Sequence, residues 1–247
     1  IVESAANMEM IWCKPGSFMM GDNDKVDVKK NPNSGKKSPS HKVTFTKGFF
    51  LGKYEVTQEQ FEKVMGKNPS EFKNDKHPVE RVTWKDAVAF CEILTANEKK
   101  VGWKFSLPTE SQWEYACRAG TNTKYSWGDT ISPEMANYGA SGLKKTMLVG
   151  SYRSNPWGFF DMHGNVYEWC NDWFKSYPQG PKTDPQGPSS GSLKVIRGGA
   201  WRRIGDSAMS AHREYRKPEQ YRYHDLGFRV CLMQVKEEVK QSSIIIK

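Results

Sequence analysis

The sequence predicts an α+β fold, on three observations. Thr57-Gln58-Glu59-Gln60 and Thr109-Glu110-Ser111-Gln112 are capping boxes, which open short helices. Runs rich in β-branched and aromatic residues, such as 43–46 and 49–54, read as short strands around those helices. After Gly120 no period of 2 or 3.6 persists and turn residues are frequent. Helices early, short strands beside them and a long irregular second half make the class α+β.

Taken in order, residues 10–13 and 17–21 read as two strands paired across a Pro15-Gly16 turn. The stretch 25–47 mixes lysines with Asn, Pro, Ser and Gly and reads as an exposed loop around its strand residues. The first helix runs from Thr57 to about Met65, and Pro69 ends that region. A second starts at Thr83, with Trp84, Ala87, Val88, Cys91 and Leu94 at helical spacing. The third stops near Ala119-Gly120. Val195-Ile196 and residues 228–230 suit buried strands.

With 247 residues, one large domain over 1–233 with a C-terminal tail over 234–247 is expected. Hydrophobic residues are only 37% but aromatics reach 13%, so a few large side chains can build the core. The net charge of +9 gathers partly in the lysine-rich stretch, without aromatic residues interleaved for base stacking. It reads as a solvated surface, and no nucleic-acid partner is expected. The five cysteines form no C-x-x-C pair and are widely spaced, which points to buried free thiols. No apolar run approaches the length of a membrane-spanning helix. Because the sequence starts at Ile1, a processed or truncated N-terminus is expected.

The stretch 195–230 is the most informative. Its ends, Val195-Ile196-Arg197-Gly198-Gly199-Ala200-Trp201 and Leu226-Gly227-Phe228-Arg229-Val230, have the chemistry of strands and tight turns. The middle, 202–225, has no such pattern and is rich in Arg, Tyr, His, Asp and Ser. Binding surfaces favour these side chains, which combine rigid area with adaptable hydrogen bonding.

Several phrases together carry a resemblance. They include Pro15-Gly16-Ser17-Phe18-Met19-Met20-Gly21, His77-Pro78-Val79, Leu107-Pro108-Thr109-Glu110-Ser111-Gln112-Trp113-Glu114-Tyr115-Ala116, Gly164-Asn165-Val166-Tyr167-Glu168-Trp169, Arg197-Gly198-Gly199 and Leu226-Gly227-Phe228-Arg229. Over residues 8–232 the chain resembles the formylglycine-generating enzyme (sulfatase-modifying factor) domain. The resemblance implies a C-type-lectin-like fold. Enzymes of that family oxidise a client cysteine with two of their own, whose positions fall here at Arg203 and Ala208. Thiolate or copper–thiolate chemistry needs the sulfur, so no oxidase activity and no copper are expected.

The pattern Arg197-Gly198-Gly199-Ala200-Trp201, Ser210-Ala211, Arg213, Pro218, Arg222 and Leu226-Gly227-Phe228-Arg229 is also similar to the variable region of diversity-generating retroelement proteins, of the treponemal variable protein type. In that family a reverse transcriptase mutates template adenines. Asn codons can then yield Arg, Ile, Asp, Ser, Ala, His or Tyr, but never Glu, Lys, Gln, Met or Trp. The resemblance implies a variable region over about 197–229. It implies ligand contacts at Trp201, Arg202, Arg203, Ile204, Asp206, Ser207, Ala208, His212, Tyr215, Arg216, Tyr221, Tyr223, His224 and Asp225.

Asp161, Gly164, Val166 and Glu168 match a calcium site of the enzyme family, and two carboxylates with two carbonyls suit a hard cation. The alternative is a tight loop held without metal. Asn137 and Tyr138 match half of a second family site, but 139–145 offers no aspartate. The five histidines form no metal-binding motif.

The expected function is a non-catalytic, monomeric ligand-binding protein. Its rigid scaffold displays a diversified surface to a macromolecular partner, taken as a protein. By the resemblance it stands on a bacterial cell surface as an outer-membrane lipoprotein, anchored by a lipid outside this chain. The rivals are a thiol-oxidase relative and an interaction protein with one fixed partner.

Overall fold

Local hydrogen bonding explains where the helices start. In the computed structural model, which describes residues 2–3, 6–22, 39–98, 101–219 and 223–235, the Thr57 hydroxyl accepts from the Gln60 amide. The Gln60 side chain accepts from the Thr57 amide in return. Helix α1 (Gln58–Met65) follows and ends on Gly66 at φ 70°, a left-handed conformation that glycine adopts without strain. Thr109 and Gln112 form the same reciprocal cap before α3 (Glu110–Arg118). Between them, α2 (Trp84–Ala96) opens on Thr83 and Asp86, a capping box that uses aspartate in place of glutamate or glutamine. Its apolar stripe buries Ala87, Phe90, Cys91 and Leu94.

Twelve short strands, numbered in chain order, form three sheets among the described residues. The largest holds β1 (Val2–Glu3), β2 (Glu9–Cys13), β5 (Phe49–Gly52), β6 (Trp103–Ser106) and β12 (Cys231–Gln234), in the order β1-β2-β5-β12-β6. All its pairs are antiparallel. A second sheet takes β3 (Gly16–Met20), β4 (His41–Phe45) and β8 (Lys182–Thr183) in that order. The third takes β7 (Tyr167–Trp173), β9 (Lys194–Arg197), β10 (Glu214–Arg216) and β11 (Leu226–Gly227), in the order β10-β9-β7-β11.

Two sequence expectations need correction. Residues 10–13 and 17–21 both give strands, but these do not pair: β2 joins β5, and β3 joins β4. The Lys14-Pro15 corner carries the chain from one sheet to the next. Residues 228–230 are buried yet lie between β11 and β12; the Phe228 and Val230 carbonyls accept from the Val56 and Gly52 amides. At the C-terminal side Gln234 pairs with Trp103 and the Val235 amide reaches Gly102 O. The rest of the proposed tail and most of the lysine-rich stretch lie outside the described residues.

Two clusters form the core. In the first, Phe228 meets Phe61 and Phe90 edge-on, with centroids 6.2 and 5.3 Å apart, among Val79, Trp169, Ile196 and Leu226. The second gathers Phe45, Phe49, Trp113, Tyr115, Phe159 and Val195. Burying each large apolar side chain contributes roughly 1.5–3 kcal/mol. Val195 and Ile196 alternate between the clusters, so β9 is buried on both faces. Its end, and the start of β11, are thereby fixed points for the irregular chain between them.

A candidate ligand-binding surface

The fixed ends are held by buried charge. Arg197 is fully buried; its guanidinium donates to Glu114, to the His212 carbonyl and, at 3.0 Å, to Ser210 O. Glu114 also accepts from Arg118 Nε at 2.9 Å and from the Gly21 amide at 2.8 Å. At the other end Arg229 grips both Glu168 oxygens, Nε to Oε2 at 2.6 Å and Nη2 to Oε1 at 2.7 Å. Removing one partner from a buried pair of this kind costs far more than the pair itself contributes. Gly198 and Gly199 take φ +96° and +74°, and a Cβ on Gly199 would stand 2.8 Å from the Ala208 Cα. The chain after β9 thus folds back on itself.

Between these ends the chain forms a surface. Arg202, Ile204 and Asp206 are exposed, Ile204 at 65%. Trp201 is half-buried; its indole donates to His224 O at 3.0 Å, and its ring lies 5.4 Å from His224 and 5.6 Å from Phe72. Arg203, Ser207, His212, Tyr215, Arg216, Tyr223 and His224 are also half-buried. Tyr215 packs on Phe174 at 4.5 Å, and the guanidinium groups of Arg202 and Arg216 lie over the Tyr223 ring at 5.7 and 5.6 Å. Tyr221 lies outside the described residues.

Two predicted contact residues are buried. Asp225 is 1% exposed, and its Oδ2 accepts from Arg202 Nε at 2.6 Å and Arg203 Nε at 3.3 Å. Its carboxylate holds two arginines of the surface in place. Ala208 is 1% exposed, and its carbonyl accepts from His163 Nδ1 at 2.7 Å. His163 Nε2 therefore carries no proton and accepts the Ser126 amide at 3.1 Å. Burial lowers the His163 pKa to about 4 and that of His212 likewise to about 4, so both stay neutral.

The structure adds neighbours that the sequence did not suggest. Phe72 faces Trp201 and His224, and Glu71 lies 3.6 Å from His224 Nδ1 and 3.1 Å from Arg81. The Arg81 amide bonds Tyr223 O, and the Trp84 amide bonds Pro218 O. Glu71, Phe72 and Arg81 come from a loop more than a hundred positions upstream, where no local signal marks them as neighbours of this surface, and Trp84 opens α2.

No thiol stands at this surface. The five cysteines are buried, and burial pushes the Cys117 thiol up to about 12. The two carboxylates of the proposed calcium site have partners within the protein. Glu168 is engaged on both oxygens by Arg229 and again by Trp113 Nε1 at 2.7 Å. Asp161 Oδ2 accepts the Gly150 amide at 2.6 Å, the Gly164 amide donates to Gly198 O, and the Val166 amide donates to Glu55. The Arg229 guanidinium already supplies the positive charge that a cation would bring to Glu168. These bonds hold 161–168 as a tight loop in which both carboxylates have protein partners.

Residues 2–233 match the sulfatase-modifying factor enzyme 1-like domain, and the chain belongs to that family. It is similar to serine/threonine-protein kinase pkn1 of Chlamydia caviae, 32% identical over 241 residues, which take in 85% of this chain and 36% of that protein. This chain therefore spans about a third of the length of that curated relative. The formylglycine-generating enzyme of Streptomyces coelicolor is 38% identical over 141 residues, 51% of this chain and 42% of that enzyme. Among solved structures, Treponema denticola variable protein 1 superposes with a TM-score of 0.81 at 29% identity, over 94% of this chain and 97% of that one.

Proposed function

We propose that the chain is a non-catalytic ligand-binding protein whose 201–225 surface is diversified by a retroelement and recognises a protein partner. One contrast carries the reading. Arg197, Gly198, Leu226, Gly227, Phe228 and Arg229 are buried, while Arg202, Ile204 and Asp206 between them are exposed. A scaffold that tolerates many sequences must place its stability outside the variable positions. The half-buried Trp, Tyr and Arg side chains beside them are the kinds that dominate binding energy at protein interfaces. The likeness to Treponema denticola variable protein 1 supports the same reading. Display on a bacterial surface, through a lipid anchor outside this chain, extends it.

The flanking DNA tests it. The expected finding is a near-identical repeat of the segment, differing at adenines, beside a reverse-transcriptase gene. The differences should fall on codons of Arg202, Arg203, Ile204, Asp206, Ser207, His212, Tyr215, Arg216, Tyr223 and His224 and spare those of Arg197, Gly198, Gly199, Leu226, Gly227 and Phe228. Absence of such a repeat overturns the diversification.

The likeness to a formylglycine-generating enzyme keeps a thiol oxidase in view as a second reading. With Arg203 and Ala208 at the positions of the two thiols, we predict no conversion of cysteine to formylglycine in a sulfatase-type peptide supplied with copper. Robust turnover sinks the non-catalytic reading.

A further inference from the structure

A cavity of about 390 Å³ opens between α3, the end of β7 and the chain around β8. That size is within the range of small-molecule sites. Of the 197–229 stretch only Arg213 lines it, so the inference drawn from it is independent of the display reading.

Its charged floor is largely self-satisfied. Arg213 Nη2 donates to Glu110 Oε2 at 2.7 Å, Nε donates to Oε1, and Nη1 donates to Lys175 O at 3.0 Å. The guanidinium lies 3.9 Å from the centre of the Tyr177 ring, whose hydroxyl donates to Glu110 at 3.1 Å. One group is different. Asp172 is 7% exposed; its Oδ2 accepts the Glu110 amide at 2.8 Å, and among the described residues no hydrogen bond reaches Oδ1. Gly187, at φ +73°, packs so closely that a Cβ there would lie 2.4 Å from Oδ1. Burial, then the neighbouring Glu110 charge, push the Asp172 carboxyl up to about 7, as expected of a carboxylate short of donors. The walls are Met20, Trp173, Tyr177, Pro185 and Pro188.

We propose that this cavity binds a small neutral aromatic molecule carrying one hydrogen-bond donor, with its ring against Trp173, Tyr177 and the prolines and its donor on Asp172 Oδ1. The wall chemistry selects the ring. Charge argues against a cation, because Arg213, Lys175 and Lys182 outnumber Glu110 and Asp172 around the cavity, and the ionised Asp172 opposes an anion at Oδ1 itself. The unfilled acceptor selects the donor.

The test compares p-cresol with toluene, which has the same ring without the hydroxyl, by titration of the tryptophan indole N–H resonances at about pH 8.5, where the Asp172 carboxyl is ionised and below the range in which the phenol loses its proton. Two variants accompany the parent. Asp172→Asn keeps a carbonyl for the Glu110 amide and turns an NH2 group toward the cavity. Ser176→Trp is at an exposed lining position and fills the cavity from outside. The expected result is saturable p-cresol binding, with toluene at least tenfold weaker. Asp172→Asn should lose tenfold or more for p-cresol and leave toluene unchanged; Ser176→Trp should abolish both. No saturable p-cresol binding, or binding that Ser176→Trp leaves intact, overturns the site. Equal binding of the two probes to the parent overturns the role given to Asp172, even if Asp172→Asn fails to fold.

Discussion

Asp225 is buried under Arg202 and Arg203, and both guanidinium groups share its Oδ2. Either arginine alone can neutralise it, so Arg202→Ala or Arg203→Ala should cost little, about 0.5–1 kcal/mol each. The double variant leaves a buried carboxylate without a partner and should cost about 3 kcal/mol, more than the sum. Urea unfolding of the four proteins of this cycle reads the coupling directly. His163 gives a second residue-scale test. Its folded pKa is lowered to about 4 from an ordinary 6.5, so between those values the unfolded chain binds a proton that the folded chain refuses. Stability is lost as pH falls through that window, at about 1.4 kcal/mol per pH unit. Asp161 and Asp172 act oppositely: their pKa values are raised to about 6 and about 7, so the folded chain takes up those protons first. The clean measurement is therefore a difference. The unfolding free energy of His163→Gln should fall less steeply than that of the parent between pH 6.5 and 4; parallel curves contradict a neutral buried His163.

At the scale of elements, α3 depends on its cap. The Thr109 hydroxyl accepts the Gln112 amide at 3.2 Å, and every residue of the helix is buried. Thr109→Ala should lower stability by about 1 kcal/mol in a denaturant melt. Such helices were legible in the sequence because caps act over four residues. The four-stranded sheet was less so. Its strand β7 is buried at Tyr167, Glu168, Trp169 and Cys170 in succession, so it shows no alternation between inner and outer residues. Pairings were hidden for a further reason: β12 enters between β5 and β6, from the far end of the chain. The surface was legible as a stretch, since its ends carry turn and core chemistry and its middle does not. Which residues face outward was not. Asp225 and Ala208 have the composition of contact residues but are buried, and Glu71 and Phe72 join the patch only through the fold.

For the whole molecule, the proposed function requires stability and recognition to be divided between two sets of residues. Phe228 lies at the meeting point of α1 and α2 with the chain behind the surface, and is fully buried. Arg202, Ile204 and Asp206 are exposed. The unfolding free energy in urea measures that division most directly, in the parent, in an Arg202→Ala, Ile204→Ala, Asp206→Ala triple variant and in Phe228→Ala. The triple variant should stay within about 2 kcal/mol of the parent, with Arg202→Ala costing up to about 1 kcal/mol and the two other exposed changes about 0.5 kcal/mol or less each. Phe228→Ala should lose roughly 3–5 kcal/mol. A triple variant that unfolds as readily as Phe228→Ala would show that the surface residues carry the fold, and would contradict the account.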